Sequence, residues 1–325
     1  MKFKTQLSIF AMASTFIYGQ ITILSTPWPT SLDPTDGGDL WPGGLIAIVT
    51  TGLSVPRPLV RAHGQKAPLE LAGIRVKVGI GPYRCSTGFV DNPAADGLDA
   101  PIIEVADQGD YQQVTVQVPW EYVRYPPIPT ALTCDGANQV SVSQFGVTAS
   151  SETKGNWRSP HFFIDATGYA IAQHTSDLSL LSASNPAHPG EQIILHAINL
   201  GWVANPPLTG QLTPFFVQTV ISGSKPVKGP YFLDTSHIFL DIGLPHDNYL
   251  AQTAVQVKSA VLTPGSLGRY QFSIQLPTSL PPSTDWALQY DWSYCPTGPV
   301  SPGFRCFGLR SANGERPTKI HLVSP

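Results

Sequence analysis

Gln113-Val114-Thr115-Val116-Gln117-Val118-Pro119 and Gln271-Phe272-Ser273-Ile274-Gln275-Leu276-Pro277 are one pattern written twice, 158 residues apart. Both alternate apolar and polar residues, the period of a strand with one buried face. Val114, Val116 and Val118 point to the core in the first copy, and Phe272, Ile274 and Leu276 in the second. Thr115 and Gln117, like Ser273 and Gln275, point outward. Pro119 and Pro277 end each strand, because proline has no N–H to give to a ladder. Burying three such side chains contributes about 5–9 kcal/mol before entropy, comparable with the whole net stability of a domain, about 5–15 kcal/mol.

A second landmark precedes each copy. Pro42-Gly43-Gly44 leads into Leu45-Ile46-Ala47-Ile48-Val49 and then Thr51-Gly52-Leu53; Pro189-Gly190-Glu191 leads into Ile193-Ile194-Leu195-His196-Ala197 and then Asn199-Leu200-Gly201, at an offset of 147. The later copy therefore carries eleven more residues between its landmarks. Two landmarks in one order at similar spacing indicate a duplicated architecture.

The remaining strands fit this scheme. Ile74, Val76, Val78 and Ile80 alternate with Arg75, Lys77 and Gly79. Val140 with Val142, and Val255 with Val257, read as short strands; Trp286, Leu288 and Tyr290 alternate, and Ile320 to Val323 reads as the closing strand. No segment keeps a helical period over three turns. With 32 prolines and 29 glycines in 325 residues, long helices are disfavoured, since proline costs about 3 kcal/mol and glycine about 1 kcal/mol inside one. The expected fold is all-β: two related β-sandwich domains in tandem, residues 41–148 and 188–325, joined by a connector over 149–187 that holds one short strand.

The N-terminus reads as an export signal over residues 1–20, followed by an extension over 21–40. Lys2 and Lys4 form a basic n-region, Leu7 to Tyr18 is uncharged and mostly apolar, and Gly19 offers a cleavage point near Gln20. The rival reading is a retained anchor, as no charge occurs between Lys4 and Asp33. However, Ser8, Ser14, Thr15, Gln20 and Thr22 dilute the run and Pro27 and Pro29 end it, whereas a spanning helix needs about 20 predominantly apolar residues. After leader removal no membrane span is expected, and the mature chain is secreted, periplasmic or displayed on the cell surface. Export makes disulfides the expected state of Cys85, Cys134, Cys295 and Cys306. Three pairings are open, and proximity favours Cys85 with Cys134 and Cys295 with Cys306. Zinc is the competing reading, but no C-x-x-C pair occurs. The net charge of −3, with 19 basic against 22 acidic residues and no basic run, gives no footprint for nucleic acid.

The chain resembles the Solibacter-type uncharacterised C-terminal domain family of exported Acidobacteria proteins. The matching pieces are the Pro42-Gly43 opening, Leu71-Ala72-Gly73-Ile74-Arg75-Val76, Val114 to Glu121, Asn185-Pro186-Ala187-His188-Pro189-Gly190-Glu191, Asn199-Leu200-Gly201 and Pro264-Gly265-Ser266-Leu267-Gly268-Arg269-Tyr270-Gln271. The resemblance runs from about residue 40 onward. It departs at Asn199, where the family usually carries glycine, and at both cysteine pairs. It implies an extracellular, immunoglobulin-like architecture, and carries over no catalytic residue.

Each cluster of candidate chemistry has a plainer reading. Asp33, Asp36 and Asp39 around Gly37-Gly38 lack the spacing and terminal glutamate of a calcium loop, as do Asp91, Asn92, Asp96, Asp99 and Glu104. His237, Asp241, His246 and Asp247 form the densest His/Asp group. On a strand, His237 and Asp241 stand about 13 Å apart, too far for one metal. Ser151-Glu152-Thr153-Lys154 matches S-x-x-K without its partner motifs. His188 and His196 flank the second Pro-Gly opening, and His196 reads as a partly buried structural histidine. Trp28, Trp41, Trp120, Trp157, Trp202, Trp286 and Trp292 are the raw material for a sugar-stacking face. The sequence therefore points to a non-catalytic protein without cofactor or metal, acting in binding, adhesion or structural presentation towards an extracellular protein or glycan. The alternatives are a carbohydrate-binding module using exposed aromatics and a hydrolase with an unrecognised site.

Overall fold

The computed structural model describes residues 20–26, 40–56, 58–81, 83–85, 88–90, 96–122, 134–135, 139–153, 161–200, 203, 205–215, 238–243, 253–280, 286–294, 307–310 and 318–323. Every regular element among them is a strand. The first half of the chain contributes β1 (Thr22–Ser25), β2 (Leu45–Thr51), β3 (Leu59–Arg61), β4 (Glu70–Leu71), β5 (Ile74–Ile80), β6 (Tyr83–Cys85), β7 (Gly88–Val90), β8 (Asp96–Asp99), β9 (Ile102–Asp107), β10 (Gln112–Gln117), β11 (Cys134–Asp135), β12 (Gln139–Gln144) and β13 (Val147–Glu152). The second contributes β14 (His161–Phe162), β15 (Ala172–His174), β16 (Gln192–Ile198), β17 (Ile238–Gly243), β18 (Thr253–Leu262), β19 (Arg269–Gln275), β20 (Trp286–Tyr294), β21 (Phe307–Arg310) and β22 (Thr318–Ile320).

The strands pair antiparallel in a β-sandwich-like arrangement. In the first half one sheet runs β1-β2-β10-β9-β3 and a second runs β13-β12-β5-β4, with β8 also on β5. Ile46, Ile48, Val105, Val114 and Val116 of the first sheet share a water-free core with Ile74, Val76, Val78, Val140 and Val142 of the second. The second half orders its strands as β14-β16-β19-β18-β17-β20-β21, with β15 on β16 and β22 on β20.

The duplication read from sequence extends to the hydrogen-bond register. Val116 pairs with Ile46, and Ile274 with Ile193; these are the residues that the offsets of 158 and 147 equate. The third strand agrees as well. β10 pairs with β9 through a bulge that passes over Ile103, between the Glu104 and Ile102 partners of Thr115 and Val116. β19 pairs with β18 through a bulge that passes over Lys258, between the partners of Ser273 and Ile274. A bulge inserts one residue and bends its strand, so a shared bulge is a shared bend. The copies differ where that bent edge passes from one layer to the other. In the first, β8 pairs β5 and β9 pairs β10, with Ala100-Pro101 between them. In the second, β18 runs unbroken from its partner β17 to its partner β19. Proline lacks the N–H a ladder needs, so the first copy splits into two sheets where the second keeps one.

The opening turns match too. Trp41-Pro42-Gly43-Gly44 and His188-Pro189-Gly190-Glu191 each close with an N–H to carbonyl bond over three residues, at 2.8 and 3.0 Å, and the glycine takes φ of 70° and 78°. Proline presets the first central residue of such a turn and glycine supplies the positive φ of the second. Gln117 and Gln275 each donate from Nε2 to the glycine carbonyl of their own turn. At the far end of the strand, Gly52 at φ 86° corresponds to Asn199 at φ 64°, asparagine being a residue that tolerates this left-handed conformation.

Two expectations change. Thr115 and Gln117 do alternate with the core valines, but they do not face water: Gln117 is 1% exposed. Residues 205–215 cross from the second half onto that face, pairing Gln211 with Lys66 and donating Gly210 N to Gln117 Oε1 at 2.8 Å. The segment 149–187, read as a connector with one short strand, supplies both β14 and β15 to the edge of β16. Strands of two and three residues are too short for alternation to reveal.

Candidate functional site

β15 lies beside the start of β16, with His174 opposite Ile193, which brings His174 against Glu191 just ahead of the strand. The intervening loop is pinned by buried Leu181 and Ala187. Asp177 Oδ1 accepts the Ser179 N–H at 2.9 Å and its hydroxyl at 2.8 Å. Together they bound an open groove of about 590 Å³ lined by His174, Thr175, Asp177, Asn185, His188 and Glu191, among others.

At its base His174 Nδ1 bonds Glu191 Oε1, Glu191 Oε2 accepts the His188 N–H at 2.9 Å, and His174 Nε2 lies 3.4 Å from the Asn185 carbonyl. The Glu191 carboxylate raises the imidazole's pKa above its ordinary 6.5 against the opposing pull of burial, with the Asn185 carbonyl and Asp177 adding to the rise. Asp177 is held below its ordinary value by the Ser179 N–H and hydroxyl. With an acceptor beside each ring nitrogen, His174 makes both contacts as a donor when it carries its second proton, the form that the raised pKa favours.

A group whose pKa is raised on folding stabilises fully below its unfolded value, and that stability is lost as pH climbs through the folded value. Unfolding free energy measured by denaturant titration from acid to alkaline pH is therefore expected to decline as pH rises from about 6.5. His174→Gln is expected to flatten that decline; an unchanged slope would mean the pair contributes nothing.

Other candidates from the sequence are scattered. Asp33, Asp36, Asp39, Asp91, Asn92, His237, His246, Asp247, Lys154, Cys295 and Cys306 lie outside the described residues, and only the backbone of Asp241 is described. Asp99 faces Lys77 at 3.8 Å and Glu104 faces Arg61 at 2.8 Å, surface pairs contributing about 0–1 kcal/mol each. Half-buried His196 places Nε2 3.0 Å from Gln173 Oε1, and burial followed by Arg269 lowers its pKa, consistent with a structural role. Trp41 and Trp120 are buried. Trp28, Trp157 and Trp202 lie outside the described residues, and Trp286 and Trp292 are described by backbone alone. Among the described residues no group of three or more His, Cys, Asp or Glu side chains could hold a metal, and no helix is long and apolar enough to cross a membrane. Cys134 and Cys85 stand opposite one another as register partners of β11 and β6.

Sequence reasoning missed His174 and Glu191 as a pair. One signal for it was present: Glu191 occupies the position of Gly44 in the first copy, and a glycine replaced by a charged residue at an otherwise repeated turn marks a departure with a local cause.

Fold and site together define an all-β, β-sandwich-like protein with a polar groove beside its second Pro-Gly turn. A scan against known protein families finds no match to the chain, and no curated protein matches it.

Proposed function

We propose that the chain is an exported, non-catalytic protein of two immunoglobulin-like modules in tandem, residues 41–148 and 188–325, which acts outside the cytoplasm by binding or by structural presentation. The observation that carries this reading is the strand order common to both halves. β1-β2-β10-β9 opposite β13-β12-β5-β8 recurs as β14-β16-β19-β18 with β22-β20-β17-β18. In immunoglobulin lettering this is A-B-E-D facing G-F-C, with an added strand beside C. The family resemblance of the Pro-Gly and Val114 to Glu121 segments supports the same reading. The Cys85–Cys134 register supports a disulfide there, since directly opposed antiparallel residues fall within bridging range. A histidine with both ring nitrogens already engaged, in an open groove, supports binding over hydrolysis.

Full-length chain carrying a C-terminal tag is expected to appear outside the cytoplasm with a new N-terminus near Gln20. The purified protein is expected to leave ester and glycoside substrates intact. An uncleaved leader on cytoplasmic protein would defeat the export reading. Turnover that disappears in His174→Ala would replace the binding reading with a hydrolase.

A further inference from the structure

β22 and the residues after it are stitched on one side to β20 and on the other to the segment that opens the second half. The second seam is parallel: Tyr169 is the partner of Lys319, and Ala187 that of Leu322. Ala170 N donates to the Lys319 carbonyl at 2.8 Å and Lys319 N to the Gly168 carbonyl at 3.1 Å. Further along, Ala187 N donates to the His321 carbonyl at 3.0 Å and Val323 N to the Ala187 carbonyl at 2.8 Å. Ala170, Ala187, Ile320 and Leu322 are buried and seat the seam on the core. The Tyr169 ring stacks on that of His321, centroids 3.8 Å apart and planes within 2° of parallel, and Lys319 Nζ lies 5.7 Å from the centre of the same tyrosine ring.

Parallel pairing fixes how these bonds meet a pull. β14 and β15 run antiparallel to β16, so the chain enters the second half beside Ile198, at the far end of β16. It leaves past Val323, beside Ala187 and the Pro189-Gly190 turn that starts β16. Tension between the first half and the chain beyond Val323 therefore draws the two segments past each other along their length. The bonds at 168–170 and at 187 then share the load and must fail together. Pulled apart from the Val323 end alone, the same bonds fail one after another.

We propose that the second half is a tension-bearing module, in which the parallel seam of residues 168–170 and 187 with residues 319–323 carries load between the first half and the chain beyond Val323. This deepens the structural-presentation reading and rests on it. Forced unfolding is governed by the unfolding rate, so what matters under load is how many bonds break in the same step, and the seam sets that number by the direction of the pull.

The test holds the full chain between two DNA handles at constant force and reads the lifetime of the second half. One handle sits at the C-terminus. The other is attached through an azide-bearing residue replacing either Ala166, exposed just ahead of the first bonds of the seam, or His188, exposed just beyond the last. The first arrangement loads the seam in shear and the second peels it. At equal force the shear lifetime is expected to exceed the peeling lifetime by more than about tenfold, since each bond that must fail in the same step is worth about fivefold. Val323→Pro deletes one donor of the seam and is expected to shorten the shear lifetime about fivefold. The comparison of the two directions keeps the native seam, so it does not depend on that variant folding. Equal lifetimes in the two directions, or a shear lifetime indifferent to Val323→Pro, would each overturn the proposal. Either result from an exported chain that leaves the hydrolysis substrates intact removes the load-bearing role and leaves the broader reading standing.

Discussion

Val116→Asp and Ile274→Asp are each expected to abolish folding of the half that carries them, while Ser273→Asp leaves the second half folded. Val116 and Ile274 are both 0% exposed and occupy equivalent places in the two cores. Losing either side chain forfeits about 1.5–3 kcal/mol of burial, and a carboxylate in its place meets a desolvation penalty of several kcal/mol with no partner to offset it. The sum approaches or exceeds the net stability of a typical domain, about 5–15 kcal/mol. Ser273 is one residue away but half-buried, with its hydroxyl accepting from Gln192 Nε2 at 2.5 Å on the exposed side of the sheet. Limited proteolysis separates the outcomes. A protease-resistant Ile274→Asp, or an unfolded Ser273→Asp beside it, would show the register to be shifted by one residue, which moves every side chain to the other face.

Asn199→Ala is expected to lower stability by about 2–5 kcal/mol, a large effect for a polar side chain. Asn199 is 0% exposed; its Oδ1 accepts the Leu45 N–H at 2.8 Å and its Nδ2 donates to the Leu45 carbonyl at 3.3 Å. One amide thereby ties the end of β16 to the start of β2, across 154 residues of sequence. Alanine forfeits both bonds and, at φ 64°, lacks the short polar side chain that lets asparagine tolerate the left-handed region, where other L-residues are strained by about 1–2 kcal/mol. Asn199→Gly forfeits the bonds without the strain and should fall between alanine and the native protein. The Cβ of Gly44→Ala would meet Asn199 Oδ1 at 2.2 Å, so this variant should be destabilised in the native background and partly rescued by Asn199→Gly. Denaturant midpoints of the four proteins form a double-mutant cycle. Additive losses would mean that the amide and the glycine do not meet in solution.

Alternation at Val114 to Val118 and Phe272 to Leu276 was legible because each strand buries one face over at least three side chains. The Pro-Gly turns were legible because few other dipeptides combine a preset φ with a positive one. The Ile74 to Ile80 alternation marked β5 as a strand with one buried face, but its pairing with β12 in one sheet is a long-range contact that alternation does not specify. What escaped were β14 and β15, too short to show a period, and the His174–Glu191 pair, whose members are separated by a loop that no residue pattern folds in advance.

By itself the sequence determined the all-β class, the duplication and which face of each long strand meets the core, since all three depend on neighbours two residues apart or on repeats of the same text. Only the tertiary structure decided the fate of the opposite faces. Gln117 and Gln275 are the same residue in the same register, yet one is sealed beneath residues 205–215 and the other remains half-open, because burial depends on what the rest of the chain lays across a surface. Asn199 shows the same division: its left-handed backbone is a local property, while its hold on Leu45 exists only once the two halves have come together.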